Sequence, residues 1–284
     1  MAVVDPHRAA VRDAVALALA EDLTPLGDLT SALLPEGTTC VADFVPRRDG
    51  VLAGTACATE AFAQLDAVVE VSWAAADGDA IAEGAVVGTV SGPMASVLTG
   101  ERTALNFLCH LSGVATLTAT FVGRVELTGA KVLDTRKTTP GLRALEKAAV
   151  AAGGGTNHRM GLYDAILIKE NHAAIAGGVG EAVRRAREAM PELSVEVECR
   201  DLEEVGQGLE AGADRLLLDN MSPVELREAV TVARRSADAP ELEASGGIDL
   251  VNVREIAETG VDYLSVGALT HSAQALDLSM TMEI

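Results

Sequence analysis

The 284-residue sequence is poor in positive charge. It has 22 lysines and arginines against 42 aspartates and glutamates, so its formal net charge is −20. A field of this sign repels polyanions, and it argues against nucleic acid as a partner. An anionic small-molecule substrate would therefore need a local basic pocket.

Three further absences narrow the class of protein. The cysteines, Cys40, Cys57, Cys109 and Cys199, have neither CxxC nor zinc-ligand spacing. The amino terminus has no basic-then-apolar signal pattern, and no uninterrupted apolar run reaches the roughly 18 residues that span a bilayer. We therefore expect a cytoplasmic protein with reduced thiols and no membrane contact. Its apolar fraction of 49% allows one barrel core or two smaller domains.

All the lysines lie in one stretch of the chain, at Lys131, Lys137, Lys147 and Lys169. The same stretch contributes Arg136, His158 and Arg159. Its pattern predicts two short apolar strands, each followed by cations, with a helix and a glycine-rich turn between them. Cations just past the ends of buried strands are typical of the barrel face on which active sites are built.

Six apolar strands alternate with helical segments after residue 122. We expect these strands at 132–137, 165–171, 195–200, 215–220, 242–247 and 263–268. Such alternation predicts a parallel sheet covered on both faces. Because a full barrel has eight strands, the fold class expected is an incomplete α/β barrel of six or seven strands, with an irregular seventh strand near residues 156–159.

The chain before the barrel predicts a smaller open α/β sandwich domain. A helix over about residues 94–122, with Gly113 as its weak point, joins the two. Near its beginning lie Glu101 and Arg102, a pair typical of solvated surface. The expected divisions are residues 1–110 for the sandwich and the start of the helix, 111–270 for the barrel, and a tail at 271–284 that packs back on the first domain.

The polar residues that end these strands assemble one candidate site. The cations are Arg136, Lys137, Arg159 and Lys169, the carboxylates are Glu198 and Asp219, and backbone N–H groups come from Ser245, Gly246, Gly247, Gly267 and Ala268. A Ser-Gly-Gly turn that leads into a helix at Ile248 favours phosphate binding, although a tight βα turn explains the same residues. Arginine suits a carboxylate, which it can grip with two parallel hydrogen bonds.

Three of these positions have competing interpretations. Glu198 and Asp219 either balance the charge of the cations or hold Mg²⁺ or sugar hydroxyls beside a polyphosphate. Lys169 either binds an anion or forms a Schiff base, as barrel-strand lysines do in aldolases. His158 is the histidine next to an arginine, and it is a candidate hydrogen-bond donor to an anionic substrate; the other histidines are expected to be structural.

Six ordered blocks of this sequence resemble the quinolinate phosphoribosyltransferase family, also called nicotinate-nucleotide pyrophosphorylase (carboxylating). They are DTRKTTPGLRALEK, GGGTNHRMGLYDAILIKENH, VEVEC, LLLDNMSP, LEASGGI and VDYLSVGALTHS, and the helix segment TGERTALNFL agrees as well. The resemblance implies an open α/β sandwich, an incomplete barrel and a homodimer or higher oligomer with shared active sites. It also implies transfer of phosphoribosyl from phosphoribosyl pyrophosphate to quinolinate, with decarboxylation and Mg²⁺, in NAD biosynthesis.

The same resemblance implies a role for each residue of the site. Quinolinate would be held by Arg102, Arg136, His158, Arg159 and Lys169; phosphoribosyl pyrophosphate would face Lys137, Glu198, Asp219, Ser245, Gly246, Gly247, Gly267 and Ala268. Catalysis would depend on Lys137, Lys169, Glu198 and Asp219, and Mg²⁺ would bind mainly through pyrophosphate and water with Glu198 and Asp219 as further ligands. Three alternatives stay open: a related phosphoribosyltransferase for another acidic ring, a Schiff-base aldolase, and a non-catalytic metabolite sensor.

Overall fold

A computed structural model describes residues 8–235 and 238–282. The helices are α1 (Arg8–Leu23), α2 (Thr55–Leu65), α3 (Met94–Arg124), α4 (Arg143–Ala152), α5 (Glu170–Ala176), α6 (Val179–Ala189), α7 (Leu202–Ala211), α8 (Pro223–Ala233), α9 (Val253–Ala257) and α10 (Ala268–His271). The strands are β1 (Thr39–Pro46), β2 (Gly50–Val51), β3 (Glu70–Trp73), β4 (Ala80–Ile81), β5 (Gly88–Pro93), β6 (Lys131–Leu133), β7 (Ile166–Ile168), β8 (Val195–Cys199), β9 (Arg215–Asp219), β10 (Glu241–Ser245), β11 (Tyr263–Ser265) and β12 (Leu278–Met282).

The chain separates into two compact units. The first contains the described residues up to 119, with 138–154 and 269–282, and the second contains 120–137 and the described part of 155–268. These units divide the chain at other places than the segments expected from the sequence, because α4 packs on α1 and the final strand pairs with β1.

The first unit is built on an antiparallel sheet in the order β12-β1-β5-β3. Strand β1 alternates exposed and buried side chains, as expected for a sheet with one face on a core. Its Phe44 is fully buried and stacks on Trp73, with ring centroids 5.2 Å apart. Helix α2 covers this face through Phe62, which is also fully buried.

Helix α3 runs without a break through Gly113, so the helix is not weakened at this glycine as expected. A side chain at residue 113 would collide with the backbone of Gln274, and the glycine therefore serves the close passage of the carboxyl-terminal segment. By length and composition α3 could cross a bilayer, which corrects the sequence-based statement that no segment reaches this threshold. Since 56% of its most apolar 18-residue window is buried inside the protein, it has the character of a core helix.

The second unit contains the parallel sheet, in the order β6-β11-β10-β9-β8-β7. All six strands lie where the apolar runs predict them, with helices α5 to α9 in the intervening sequence. The expected seventh strand is reduced to a single parallel bridge between Thr156 and Leu133, beside the β6 edge. The barrel is therefore incomplete, as predicted.

Alternation along the strands sorts their polar side chains into levels. Because side chains two residues apart share a face, Glu196 and Glu198 point the same way from β8, and Glu241, Glu243 and Ser245 do so from β10. In the parallel register Glu241 pairs with Arg215 and Ser245 with Asp219. The carboxyl ends of the strands thus form one polar level, here called the mouth, and the residues below it form further polar levels.

Candidate active site

At the mouth, a lysine and two carboxylates come together from neighbouring strands. Lys169 follows β7 directly, and its Nζ lies 3.6 Å from Oε2 of Glu198 in β8. Burial raises the pKa of the Glu198 carboxyl, the charge of Lys169 lowers it, and the charge of Asp219 at the end of β9 raises it again. These interactions place both predicted carboxylates and the lysine in one electrostatic environment.

Two arginines from different loops also lie close to one another. Arg136 follows β6, and Arg159 is held in the loop before β7 by a hydrogen bond from its Nη1 to the carbonyl of Ala165, 3.1 Å. Burial lowers the pKa of Arg159, and the charge of Arg136 lowers it further. Nε of Arg136 is buried and has no hydrogen-bond partner within residues 8–235 and 238–282. A pair of repelling guanidinium groups, one with an unused buried donor, is a structure prepared for an anion.

His158, predicted to contact a substrate, directs one ring nitrogen into a buried cluster below the mouth. Its Nε2 lies 3.1 Å from Oε2 of Glu196 and 3.4 Å from Oε2 of Glu243. These glutamates are 4% and 0% exposed. Oε1 of Glu243 accepts a hydrogen bond from the hydroxyl of Ser265. The Nε2 side of the ring is therefore committed to protein carboxylates.

The protonation of this histidine is set by opposed contacts. Burial lowers the pKa of His158, but hydrogen bonds from the ring to Glu196 and Glu243, and the charges of these groups, outweigh burial and raise the pKa to about 9. The backbone N–H of Arg159 donates to Nδ1 over 2.7 Å, and a second ring proton would have to displace that bond. Nε2 carries a proton both in the neutral ring, which accepts this bond at Nδ1, and in the imidazolium ion.

A third polar level lies below the histidine. Arg215 places Nη1 3.2 Å from Oε2 of Glu243 and Nη2 2.7 Å from Oε2 of Glu241. Its guanidinium also covers the ring of Tyr263, 4.3 Å from the centroid. Sequence reasoning missed Glu196, Glu243, Arg215 and Ser265, although a signal was present: in VEVEC and LEAS, acidic side chains recur at alternate positions of strands expected to be buried.

The glycine turn after β10 only partly matches the expectation. Gly246 has φ 99°, and a side chain there would collide with the amide of Asn220, so this position requires glycine for the turn itself. Gly247 has φ 60° and no neighbour near the position of a Cβ. The helix expected from Ile248 was wrong, because α9 begins only at Val253 and has five residues. The next helix along the chain therefore begins five residues later than expected.

The remaining predicted residues lie as follows. Gly267 and Ala268 follow β11, where the four-residue helix α10 begins. The backbone N–H of Lys137 donates to Oγ1 of Thr135 over 3.0 Å, and this bond closes a tight turn around Arg136. Arg102 is exposed on α3 in the first unit.

Two of the clustered lysines lie away from the mouth. Lys131 begins β6, at the opposite end of the strand from Arg136, and lies 5.8 Å from the Tyr263 ring centroid. Lys147 is 1% exposed within α4 of the first unit. The concentration of lysine in the sequence therefore overstated the charge of the site.

Among the other histidines, three have side-chain contacts typical of a structural role. Nδ1 of His271 lies 2.7 Å from Oγ of Ser272. Nε2 of His110 lies 2.8 Å from Oε1 of Glu146, and Nδ1 of His172 accepts the backbone N–H of Lys169 at the start of α5. His7 lies outside the described residues.

Comparison with known proteins gives a consistent result. The family description "Quinolinate phosphoribosyl transferase, C-terminal domain" matches residues 114–281, and the corresponding N-terminal domain description matches residues 28–112. The chain is 46% identical over 278 residues to the nicotinate-nucleotide pyrophosphorylase [carboxylating] of Mycobacterium leprae, covering 96% of this chain and 97% of that protein. It is 43% identical to a probable enzyme of the same name from Bacillus subtilis, covering 91% and 89%. The solved structure of the Francisella tularensis nicotinate-nucleotide pyrophosphorylase superimposes with a TM-score of 0.94 at 39% identity, covering 100% of this chain and 99% of that one.

Proposed function

The chain belongs to the quinolinate phosphoribosyltransferase family, and we propose that it transfers phosphoribosyl from phosphoribosyl pyrophosphate to quinolinate in NAD biosynthesis. The ring nitrogen displaces pyrophosphate from C1′, the carboxylate next to that nitrogen leaves as carbon dioxide, and a proton takes its place. The products are nicotinate mononucleotide, pyrophosphate and carbon dioxide.

The observation that carries this proposal is the adjacent pair Arg136 and Arg159. Each guanidinium can donate two parallel hydrogen bonds to a carboxylate, and quinolinate carries two carboxylates on neighbouring ring carbons. A dianion between the arginines would relieve the repulsion that lowers the pKa of Arg159, and it would offer an acceptor to the buried Nε of Arg136. A basic pocket of this kind also explains how a chain of net charge −20 attracts an anionic substrate.

The residues of the mouth supply charge where phosphoribosyl pyrophosphate would lie. We assign Lys137 and Lys169 to its phosphate groups, because a lysine ammonium is a compact charge with several donors. Glu198 and Asp219 fit a supporting role toward Mg²⁺, since they are hard oxygen donors whose charges interact and Mg²⁺ usually binds one or two carboxylates together with phosphates and water. When bound, the metal would stabilise the charge of the departing pyrophosphate.

The chain's own contribution is mainly orientation. Displacement at C1′ builds positive charge on the ribose, so Glu198 and Asp219 can stabilise that charge while the arginines align the ring nitrogen. Once the nitrogen carries the ribose it is cationic, and it accepts the electrons released by the departing carboxylate. Decarboxylation then needs little help from a strong base.

We assign the 5′-phosphate to the backbone at Ser245, Gly246, Gly247, Gly267 and Ala268. Support comes from Gly247, which is exposed, has a left-handed φ and has no atom near the position of a Cβ. The assignment rests on backbone N–H groups of a turn and not on the amino terminus of a long helix.

Arg102 completes the proposal as a residue that a partner subunit supplies. It belongs to the first unit, whereas the other quinolinate residues belong to the second, and the family resemblance implies a homodimer with shared sites. The four cysteines are free, which supports a reducing cytoplasmic location.

A Schiff-base aldolase is less well supported. A lysine that forms a Schiff base needs a neutral amine, usually in an apolar pocket or beside another cation. The side chain of Lys169 is instead 56% exposed and lies beside the carboxylate of Glu198. Borohydride trapping with a phosphosugar should therefore leave Lys169 unlabelled.

The test is to incubate the protein with quinolinate, phosphoribosyl pyrophosphate and Mg²⁺ and to measure nicotinate mononucleotide by chromatography. We expect product from quinolinate and none from nicotinate, because the missing carboxylate would leave an arginine donor unpaired in a half-buried pocket. Comparable turnover of nicotinate would refute the dicarboxylate assignment, and absence of product from quinolinate would refute the proposed function.

A further inference from the structure

Beneath the arginine pair lie two glutamates to which the proposed reaction assigns no role. Glu196 and Glu243 converge on Nε2 of His158, at 3.1 and 3.4 Å. Both glutamates are buried, with Glu196 4% and Glu243 0% exposed. Buried carboxylates are costly unless they are paired, so their presence in a barrel core calls for a physical explanation.

The cluster holds the chain segment that carries Arg159. The backbone N–H of His158 donates to Oδ1 of the buried Asp134 over 2.9 Å, and Nδ2 of Asn157 donates to Oδ2 over 2.6 Å. On the other side of the ring, Nδ1 accepts the backbone N–H of Arg159. The glutamates hold Nε2 in either protonation state of the ring, and the backbone bond to Nδ1 forms only while the ring is neutral, so in the charged ring the glutamates alone fix the imidazole.

Glu196 acts on Arg159 electrostatically as well. Its negative charge raises the pKa of Arg159, against the lowering by burial and by Arg136. Oε1 of Glu196 is buried without a hydrogen-bond partner in the described chain, and burial raises the pKa of this carboxyl. The glutamate thus offsets part of the repulsion between the two arginines.

A metal ion is a poorer occupant of this cluster than the proton. His158, Glu196 and Glu243 have donor atoms within 4.8 Å of one another, close enough for a metal ion. However, Oε2 of Glu243 also faces Nη1 of Arg215 at 3.2 Å, and Oε1 accepts the hydroxyl of Ser265. A cation and a hydroxyl already occupy the oxygens that a metal would need.

We propose that Glu196 and Glu243 are positioning residues for the quinolinate site, which hold Arg159 in place by fixing the imidazole of His158 from below. The glutamates touch neither substrate, and they act through the histidine and through the backbone of residues 156–159. This inference rests on the proposed function. It predicts a defect specific to quinolinate, because phosphoribosyl pyrophosphate is assigned to residues outside the cluster.

The experiment compares E196Q and E243Q with a matched control, E241Q. Glu241 lies two residues before Glu243 on the same face of β10 and also pairs with Arg215, but it lies one level further from the mouth and its side chain is 50% exposed. We expect E196Q and E243Q to raise KM for quinolinate by about 10- to 100-fold, since displacement of a binding group by about 1 Å has effects of this size. KM for phosphoribosyl pyrophosphate should change less than threefold, and E241Q should leave both values unchanged.

Hydrogen exchange of the free protein provides a second readout that needs no turnover. Amides in residues 156–160 should exchange faster in E196Q and E243Q than in the parent and in E241Q. If E196Q does not fold, S265A tests the positioning role instead, because it removes only the hydroxyl that donates to Glu243. It should raise KM for quinolinate by about threefold or more, as expected for the loss of one buried hydrogen bond.

The outcomes separate the two claims. If the parent makes no nicotinate mononucleotide, the proposed function fails, and exchange at residues 156–160 still reports on the positioning role. If the parent is active but E196Q and E243Q keep the parental KM for quinolinate, or raise both KM values equally, the positioning role is overturned. A stoichiometric transition metal in the purified parent that is absent from E196Q would also overturn it.

Discussion

Glu198 and Glu196 lie on the same face of β8, two residues apart, yet their carboxylates differ in burial and in the partners that neutralise them. Glu196 is 4% exposed, and its Oε2 faces the His158 ring at 3.1 Å. Glu198 lies at the mouth, with a lysine Nζ at 3.6 Å whose side chain is more than half exposed. Glu196 is paired through Oε2 with a histidine of the barrel interior, and Glu198 is paired only with an exposed lysine.

The same contrast holds for the cations. Arg215, below the histidine, is paired with Glu241 and Glu243 and packs on Tyr263. Arg136, at the mouth, has a buried Nε without a partner in the described chain. Similar residue types therefore have different surroundings at two levels of one barrel. Most charges of the lower level are paired with each other, although Oε1 of Glu196 has no hydrogen-bond partner in the described chain, and at the mouth Arg136 keeps a buried donor that can bind a ligand.

The largest expected effect is a loss of activity that a second subunit can restore. We expect Arg102→Ala and Lys169→Ala each to be nearly inactive, because each removes a cation from every site. When equal amounts are refolded together, random pairing makes about half of the dimers mixed, and each mixed dimer contains one intact site. About a quarter of all sites should then recover activity, measured as nicotinate mononucleotide formed.

The control for that mixing is a second variant of the same unit. Co-refolding Arg136→Ala with Lys169→Ala should restore nothing, because both residues lie in one chain's second unit and every site keeps one of the two defects. If subunits exchange and the Arg102 mixture also stays inactive, Arg102 either serves its own subunit or lies outside the site.

The next largest effect is on the free energy of unfolding, which should fall more for a substitution below the mouth than for one at the mouth. Glu243→Ala should lower the free energy of unfolding by about 3 to 5 kcal/mol, because it leaves His158 and Arg215 buried without their shared partner. Glu198→Ala should cost less than about 1 kcal/mol, since its partner Lys169 is largely exposed. Urea unfolding measures both, and equal losses would abolish the distinction between the levels.

The third effect concerns geometry at the mouth. Arg136→Lys keeps the charge but loses the planar pair of donors, and it should lower kcat/KM for quinolinate by about 30- to 1000-fold, or roughly 2 to 4 kcal/mol. Arg234→Lys is a suitable control, because Arg234 forms a half-exposed ion pair with Asp262. A variant at residue 136 within threefold of the parent would favour a diffuse electrostatic role.

Sequence alone predicted where the six strands of the barrel end, because strand ends carry a local signal. An apolar run followed by Asp-Thr-Arg-Lys or Lys-Glu-Asn-His indicates both the strand and the face on which its last side chains lie. All six strands and the incomplete barrel were predicted this way. The helix after Gly247 was not, because the Asp249 and Asn252 side chains satisfy the loop's backbone locally and delay α9 to Val253.

The lower levels could not be assigned from sequence because their partners are distant along the chain. Glu196 meets His158 and Glu243 only after three strands and a loop are placed side by side. Adjacency to Arg159 suggested that His158 faces the substrate, and nothing in the sequence showed that its Nε2 would be committed to buried glutamates. Pairing at this separation depends on sheet order and register, which the apolar pattern does not specify.

The smallest effect is on the pH dependence of stability. The folded pKa of His158, about 9, lies above the ordinary value of about 6.5 for an unfolded chain, so the folded protein binds more protons between these values. The stabilisation is complete below about pH 6.5 and is lost as the pH rises through about 9. Its slope should be at most about 1.4 kcal/mol per pH unit.

Several groups face this imidazole and set the size of that slope. Glu196 and Glu243 favour the cation, whereas burial and the N–H of Arg159 at Nδ1 oppose it, and Arg215 offsets part of the negative charge. Glu196→Gln removes one favouring charge, so its unfolding free energy should depend less on pH between 7 and 9 than that of the parent. Glu198→Gln, at the mouth, should keep the parental slope. If both substitutions flatten the curve equally, the two levels titrate as one system, and the distinction between a largely paired lower level and the mouth does not hold.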